Sequence, residues 1–150
     1  ISIISFVMIS SCGFTVQDST KVKNFSIGEI QTIGEKRINF KLKNKFLIYS
    51  NDESKRILNL SFDTKKNKTI KEKNIKNEIT KYQIDISVKV KFETIDKSNN
   101  NEFLISKTGD YTVASKYSQT LNSEKKLIDL MTNQIADQIF YELLNRTNDL

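Results

Sequence analysis

Between Tyr82 and Phe92 the chain alternates without a break. Tyr82, Ile84, Ile86, Val88, Val90 and Phe92 fall on one side, and Gln83, Asp85, Ser87, Lys89 and Lys91 on the other. Successive side chains of a β-strand point to opposite faces, and β-branched and aromatic residues suit that pleated surface. The stretch is therefore a strand with one dry face and one wet face. A parallel sheet, covered on both faces, reads as a continuous apolar run instead. This alternation calls for an antiparallel or mixed sheet covered on one side only.

The covering layer is legible further along. From about 122 to 145, Leu127, Met131, Ile135, Ile139 and Leu143 recur every four residues, widened by Ile128, Ala136, Phe140 and Leu144. Lys125, Asp129, Asn133, Asp137 and Glu142 lie on the outer side of that helix. A second amphipathic helix is expected over about 34–50, with Ile38, Leu42, Phe46 and Tyr49 in phase. Thr32 to Glu35 has the spacing of a capping box, which places Thr32 at the N-cap, and Ser50-Asn51-Asp52 ends the helix. Core packing is the reading of its stripe, and a helix lying on a membrane surface is the alternative.

Weaker alternation predicts strands over 21–32 (Val22, Phe25, Ile27, Ile30), over 56–64 (Leu58, Leu60, Phe62) and over 103–114. In the last of these, Phe103, Ile105, Tyr111 and Val113 are in phase and Gly109 is taken as a bulge. Lys65-Lys66-Asn67-Lys68 reads as a basic turn, and 69–77 as an irregular loop or a strand continuation. Asp96 to Asn101 reads as a hairpin loop, and Tyr117 to Asn122 as a short loop. The order strand, helix, strand, strand, strand, helix gives an α+β two-layer sandwich: a four-stranded antiparallel or mixed sheet with both helices on one face.

At 150 residues the chain is expected to form one domain. It contains no histidine and a single cysteine, which removes the commonest general base, the Ser–His and Cys–His pairs and the usual zinc ligands. No glycine-rich phosphate loop and no cluster with metal-ligand spacing is present, so neither catalysis nor a cofactor is expected. The net charge of +6 fits either a solvated surface or attraction to a polyanion. With only Arg37, Arg56 and Arg146 as arginines and no stacking-aromatic signature, nucleic acid is not the expected partner. Lys65, Lys66 and Lys68, with Lys71 and Lys73, form the candidate phosphate-contacting group, set against the plainer reading of a solvated loop.

The N-terminal stretch carries the clearest chemistry. Residues 1–11 look like the remnant of a secretory signal, an apolar run from Ile1 to Ile9 closing on small residues. Ile9-Ser10-Ser11-Cys12 has the aliphatic–small–small–Cys form of a bacterial lipobox, in which the thiol accepts a diacylglycerol. A chance cysteine after an ordinary signal is the alternative. Two or more acyl chains hold a protein stably to a bilayer, where one holds it marginally. Gly13 stands where the usual inner-membrane retention signal has Asp, which favours the outer membrane. The mature domain is then 12–150.

These pieces together resemble the LPS-assembly lipoproteins of the LptE type, especially alphaproteobacterial forms. Cys12-Gly13-Phe14 is similar to that family's acylated start, the pair Ile79–Thr94 and Glu102–Ala114 to its central strands, and the helix through Gln134-Ile135-Ala136-Asp137-Gln138-Ile139 and Leu143 to its closing helix. The resemblance implies a non-enzymatic outer-membrane lipoprotein. It would plug the β-barrel LptD, help that barrel assemble, bind lipopolysaccharide and support its delivery to the outer leaflet. It further implies basic loop residues against the anionic lipid head, a role that charge and position assign to Lys65, Lys66 and Lys68. A membrane-anchored adaptor without lipopolysaccharide binding is the competing reading.

Overall fold

A computed structural model describes residues 25–49, 56–94 and 97–148. Cys12, the apolar leader and the proposed helix stop at 50–52 lie outside the described residues. The elements are β1 (Ser26–Gly34), α1 (Lys36–Tyr49), β2 (Ile57–Lys73), β3 (Ile79–Thr94), β4 (Lys97–Thr112) and α2 (Tyr117–Asn148). They form one sheet in the order β1-β2-β3-β4. The first pair is parallel and joined through α1; the other two pairs are antiparallel. This is the expected α+β sandwich, with a mixed sheet.

The alternation at Tyr82–Phe92 sets the layers. Ile84, Ile86, Val88, Val90 and Phe92 are buried together with Leu58, Leu60 and Phe62 of β2. They meet Ile38, Leu42 and Phe46 of α1 and Ile128, Met131, Ile135, Ile139 and Leu143 of α2 in one apolar cluster. Full burial of each such side chain contributes about 1.5–3 kcal/mol. Phe46 and Phe62 meet across the layers with ring centroids 5.4 Å apart, and Phe25 meets Phe140 at 6.0 Å.

The β1–α1 junction corrects the capping-box reading. Thr32 stays in the strand, opposite Phe62, and the parallel ladder runs on to Gly34 opposite Thr64. Glu35 is the N-cap: its N–H donates to the Thr64 carbonyl at 3.1 Å, and its own carbonyl accepts from the Asn39 N–H at 2.9 Å. Pairing with β2 claims the backbone that a cap at Thr32 would need. Gly34 makes the turn possible, with φ at +93° and the Thr64 carbonyl oxygen 1.9 Å from where a Cβ would stand.

Four other expectations are revised. The Lys65–Lys68 stretch is no turn: β2 continues to Lys73, pairing Lys65 with Ser87 and Lys68 with Ile84. Lys97 to Asn101 belong to β4, with Thr94 opposite Lys97, so the hairpin loop is far shorter than Asp96–Asn101. Gly109 lies in unbroken register opposite Ile84. Its missing side chain instead admits α2, since a Cβ there would come within 2.8 Å of Leu127 Cδ1 and 3.2 Å of Met131 Sδ. Register shifts lie elsewhere, in β1 between Ile27 and Ile30, in β2 between Ile70 and Lys73, and in the β3–β4 pair between Phe92 and Thr94. Finally, Tyr117 to Asn122 form the first turns of α2; Thr120 accepts the Ala114 N–H at 2.9 Å and holds the helix start against the end of β4.

Asp129 and Asp137, expected to face outward, meet α1. Asp129 pairs with Lys41 and, at 3.6 Å, with Arg37, while Asp137 lies 2.7 Å from Lys45. The helices are thus joined by a charged seam above the apolar layer.

Candidate functional site

The sheet has two distinct ends. At the proximal end β1 begins opposite Ile57, α1 finishes, and Arg56 donates to the Thr147 carbonyl at the close of α2. At the distal end β2 and β3 run on past the start of α1, which sits level with Thr64. Every residue from Lys65 to Glu78 is exposed. The result is a projecting arm, three-stranded as far as the Lys81–Thr112 pair and two-stranded only beyond it.

Its tip is built by asparagines. The Asn74 side-chain oxygen accepts the N–H groups of Lys76 at 2.9 Å and Glu78 at 3.0 Å, and its amide donates to Glu78 Oε2 at 2.7 Å. Asn77 takes the left-handed conformation at φ 64°, which Asn tolerates better than most residues. Lys73 Nζ donates to Asn77 Oδ1 at 3.0 Å. The tip presents Lys73, Lys76 and a fully exposed Ile75 on an ordered turn.

The fold divides the three candidate lysines between two faces of the sheet. Strand alternation sends Lys65 to the open face, beside Ser87, and Lys66 and Lys68 to the helix side, beside Ile86 and Ile84. Lys66 lies 3.7 Å from Glu35. Lys68 has more partners: its Nζ is 2.7 Å from Glu124 Oε2 and stands over the rings of Tyr82 at 4.4 Å and Tyr111 at 5.4 Å. Tyr111 also donates to Glu124 Oε2, at 2.7 Å. Partial burial pulls the Lys68 pKa down, but hydrogen bonding and charge from Glu124 and Tyr111 outweigh it and hold the group at about 12. Burial raises Glu124, yet the Lys68 and Tyr111 hydrogen bonds bring it below its ordinary 4.5. Lys71, next along the arm, pairs with Asp110 at 2.8 Å.

The open face is polar, as the alternation required. Asp85 accepts from Thr108 at 2.6 Å and from Gln83 at 3.1 Å, and Lys89 pairs with Glu102 at 3.0 Å. Beside the β1 bulge a shallow cleft of about 320 Å³ is lined by Glu29, Gln31, Asn59, Ser61, Lys91 and Glu93. Among the described residues no group of three or more acidic, Cys or His side chains converges as a metal site, and no helix is long and apolar enough to cross a membrane.

Sequence reasoning missed the Lys68–Glu124–Tyr111 cluster, whose members are joined only through the fold. The Asn74–Asn77 turn did leave a local trace, two asparagines three apart between apolar strands.

Comparison with known proteins adds the decisive observation. The family model described as LptE, lipopolysaccharide-assembly, matches residues 19–143. The chain belongs to the LptE lipopolysaccharide-assembly family. No curated protein sequence matches the chain. The fold is similar to the crystal structure of rare lipoprotein B from Shewanella oneidensis, with a TM-score of 0.62 at 12% identity over 81% of this chain and 98% of that one. It is also similar to the solution structure of a lipoprotein B from Nitrosomonas europaea, with a TM-score of 0.61 at 13% identity over 83% and 85%. A minor lipoprotein from Acinetobacter baumannii has a TM-score of 0.53 at 12% identity over 80% and 94%. At such identities these likenesses speak for the LptE-type fold alone.

Proposed function

We propose that this protein is a non-catalytic outer-membrane lipoprotein, held by acyl chains on Cys12, that seats in the lumen of an LptD-type β-barrel. There it helps the barrel assemble and takes part in passing lipopolysaccharide to the outer leaflet. The observation that carries the reading is the family match across residues 19–143. A barrel lumen is polar, and a sheet whose open face is a network of Gln, Asp, Thr, Lys and Glu suits such surroundings.

The distal arm is the proposed lipopolysaccharide contact. Lys65 and Lys76 have no ion-pair partner among the described residues, so they meet the lipid phosphates at little cost. Lys66 joins them when its 3.7 Å pair with Glu35 opens. Lys68 contributes charge to the same end while Glu124 holds it in place.

A pulldown of the tagged, acylated protein from detergent-solubilised membranes tests this. The expected result is co-purification of a large β-barrel together with lipopolysaccharide. Recovery of the protein free of both would favour the adaptor lipoprotein and overturn the reading.

A further inference from the structure

We propose that the outer face of α1 is a docking surface for an anionic phospholipid bilayer. Packing on the core uses only one side of this helix, through Ile38, Leu42 and Phe46. The other side carries three large apolar residues in the open: Phe40 is 67% exposed, Leu47 51% and Ile48 74%. At helical spacing, i, i+7 and i+8 share one face. Isolated exposed apolar residues are ordinary, but three along one helical face are not.

The charge of α1 identifies the occupant. KRINFKLKNKFLIY contains five cations and no acid. Lys41, Lys45 and Arg37 are engaged by Asp129 and Asp137 of α2. Lys36 and Lys43 have no ion-pair partner among the described residues and flank the apolar stripe. Apolar side chains bordered by unpaired lysines, on a helix with no acid of its own, are what is needed to lie in an anionic lipid interface: the chains enter the acyl boundary and the ammonium groups stay with the phosphates.

The geometry brings this face to a membrane. α1 runs back to the proximal end, where Phe25 leads into β1, so Leu47 and Ile48 lie at the end from which the chain reaches toward Cys12. Twelve residues lie between Cys12 and Phe25, a reach of at most about 45 Å when extended. This step rests on the acylation reading. It leaves the distal arm free for the lumen and sets α1 at the rim, against the leaflet that holds the acyl chains.

The chain contains no tryptophan, so single reporters are unambiguous. Phe40→Trp and Leu104→Trp variants of the acylated protein are reconstituted in vesicles of phosphatidylglycerol and phosphatidylcholine containing brominated lipid. Leu104 is exposed on the opposite, open face of the sheet and serves as control. The expected result is blue-shifted emission and quenching by about half for Phe40→Trp, and none for Leu104→Trp, because an interfacial helix buries its apolar face ~5–10 Å deep. Quenching should weaken in purely zwitterionic vesicles and in a Lys36→Glu, Lys43→Glu background. An unquenched Phe40→Trp on protein that still floats with the vesicles overturns the docking face while sparing the anchor. Failure to float overturns both. A blue shift seen only on adding the barrel protein, or only at high protein concentration, assigns the stripe to that protein or to a second copy and overturns the lipid assignment.

Discussion

Lys68 Nζ and Glu124 Oε2 lie 2.7 Å apart, joining the middle of β2 to the second turn of α2 across 56 residues. The pair fixes the helix start over the sheet where the apolar layer thins. Its pH signature follows from the shifts. Glu124 is depressed in the folded state, so its contribution is present above 4.5 and is lost as pH falls through its lower folded value. Lys68 is raised, so its contribution is present below 10.5 and is lost as pH rises through about 12. Glu124→Gln should therefore cost about 1–2 kcal/mol at neutral pH, and the gap to wild type should close as pH drops below 4.5. Urea unfolding across the pH range checks this; a gap that stays constant would mean the pair adds no stability.

Asn39 is the corresponding lock at the β1–α1 crossover. Its amide donates to the Ile33 carbonyl at 2.9 Å, and its oxygen accepts from the Thr64 hydroxyl at 2.5 Å. Both Asn39 and Thr64 are buried. Asn39→Ala leaves the buried Thr64 hydroxyl and the Ile33 carbonyl without this partner and should destabilise the domain by about 1–3 kcal/mol. Asn39→Ala combined with Thr64→Val should recover part of that loss, as a double-mutant cycle in urea would show.

Ile135 lies fully buried in the middle of α2. Ile135→Asp places an unpaired charge in the core and should cost on the order of 4 kcal/mol or abolish folding. Near-native melting by circular dichroism would contradict the packing of α2 described above.

The arm makes a prediction about lipid. Lys65→Glu with Lys76→Glu should weaken lipopolysaccharide capture by about tenfold, a decade being 1.4 kcal/mol, and the wild-type affinity should fall with added salt. Lys68→Met should leave the salt dependence largely intact while lowering the melting temperature. Direct binding at two ionic strengths separates the roles; equal loss in both variants would refute the division between Lys65 and Lys68.

Cys12→Ser should abolish labelling by palmitate and release the protein from the membrane fraction, while the domain still folds. Equal labelling of variant and wild type would remove the anchor from the proposal.

Much of this architecture is written locally. The six-fold alternation at Tyr82–Phe92 and the four-residue repeat from Leu127 to Leu143 follow from strand and helix periodicity, and burial of each stripe leaves one arrangement of layers. The lipobox-like run before Cys12 is equally local, a matter of residue types in order. What the sequence could not decide is how far each strand continues and where each charge ends up. Lys65-Lys66-Asn67-Lys68 has the composition of a turn, yet β3 offers it a ladder of partners, and backbone hydrogen bonding overrides propensity. Once it is a strand, alternation divides its lysines between two faces. Whether Lys68 finds Glu124, Lys45 finds Asp137 or Thr32 loses its cap to β2 depends on contacts between residues far apart in the chain. Periodicity sets which face a side chain takes, and only the packed fold sets what it meets there.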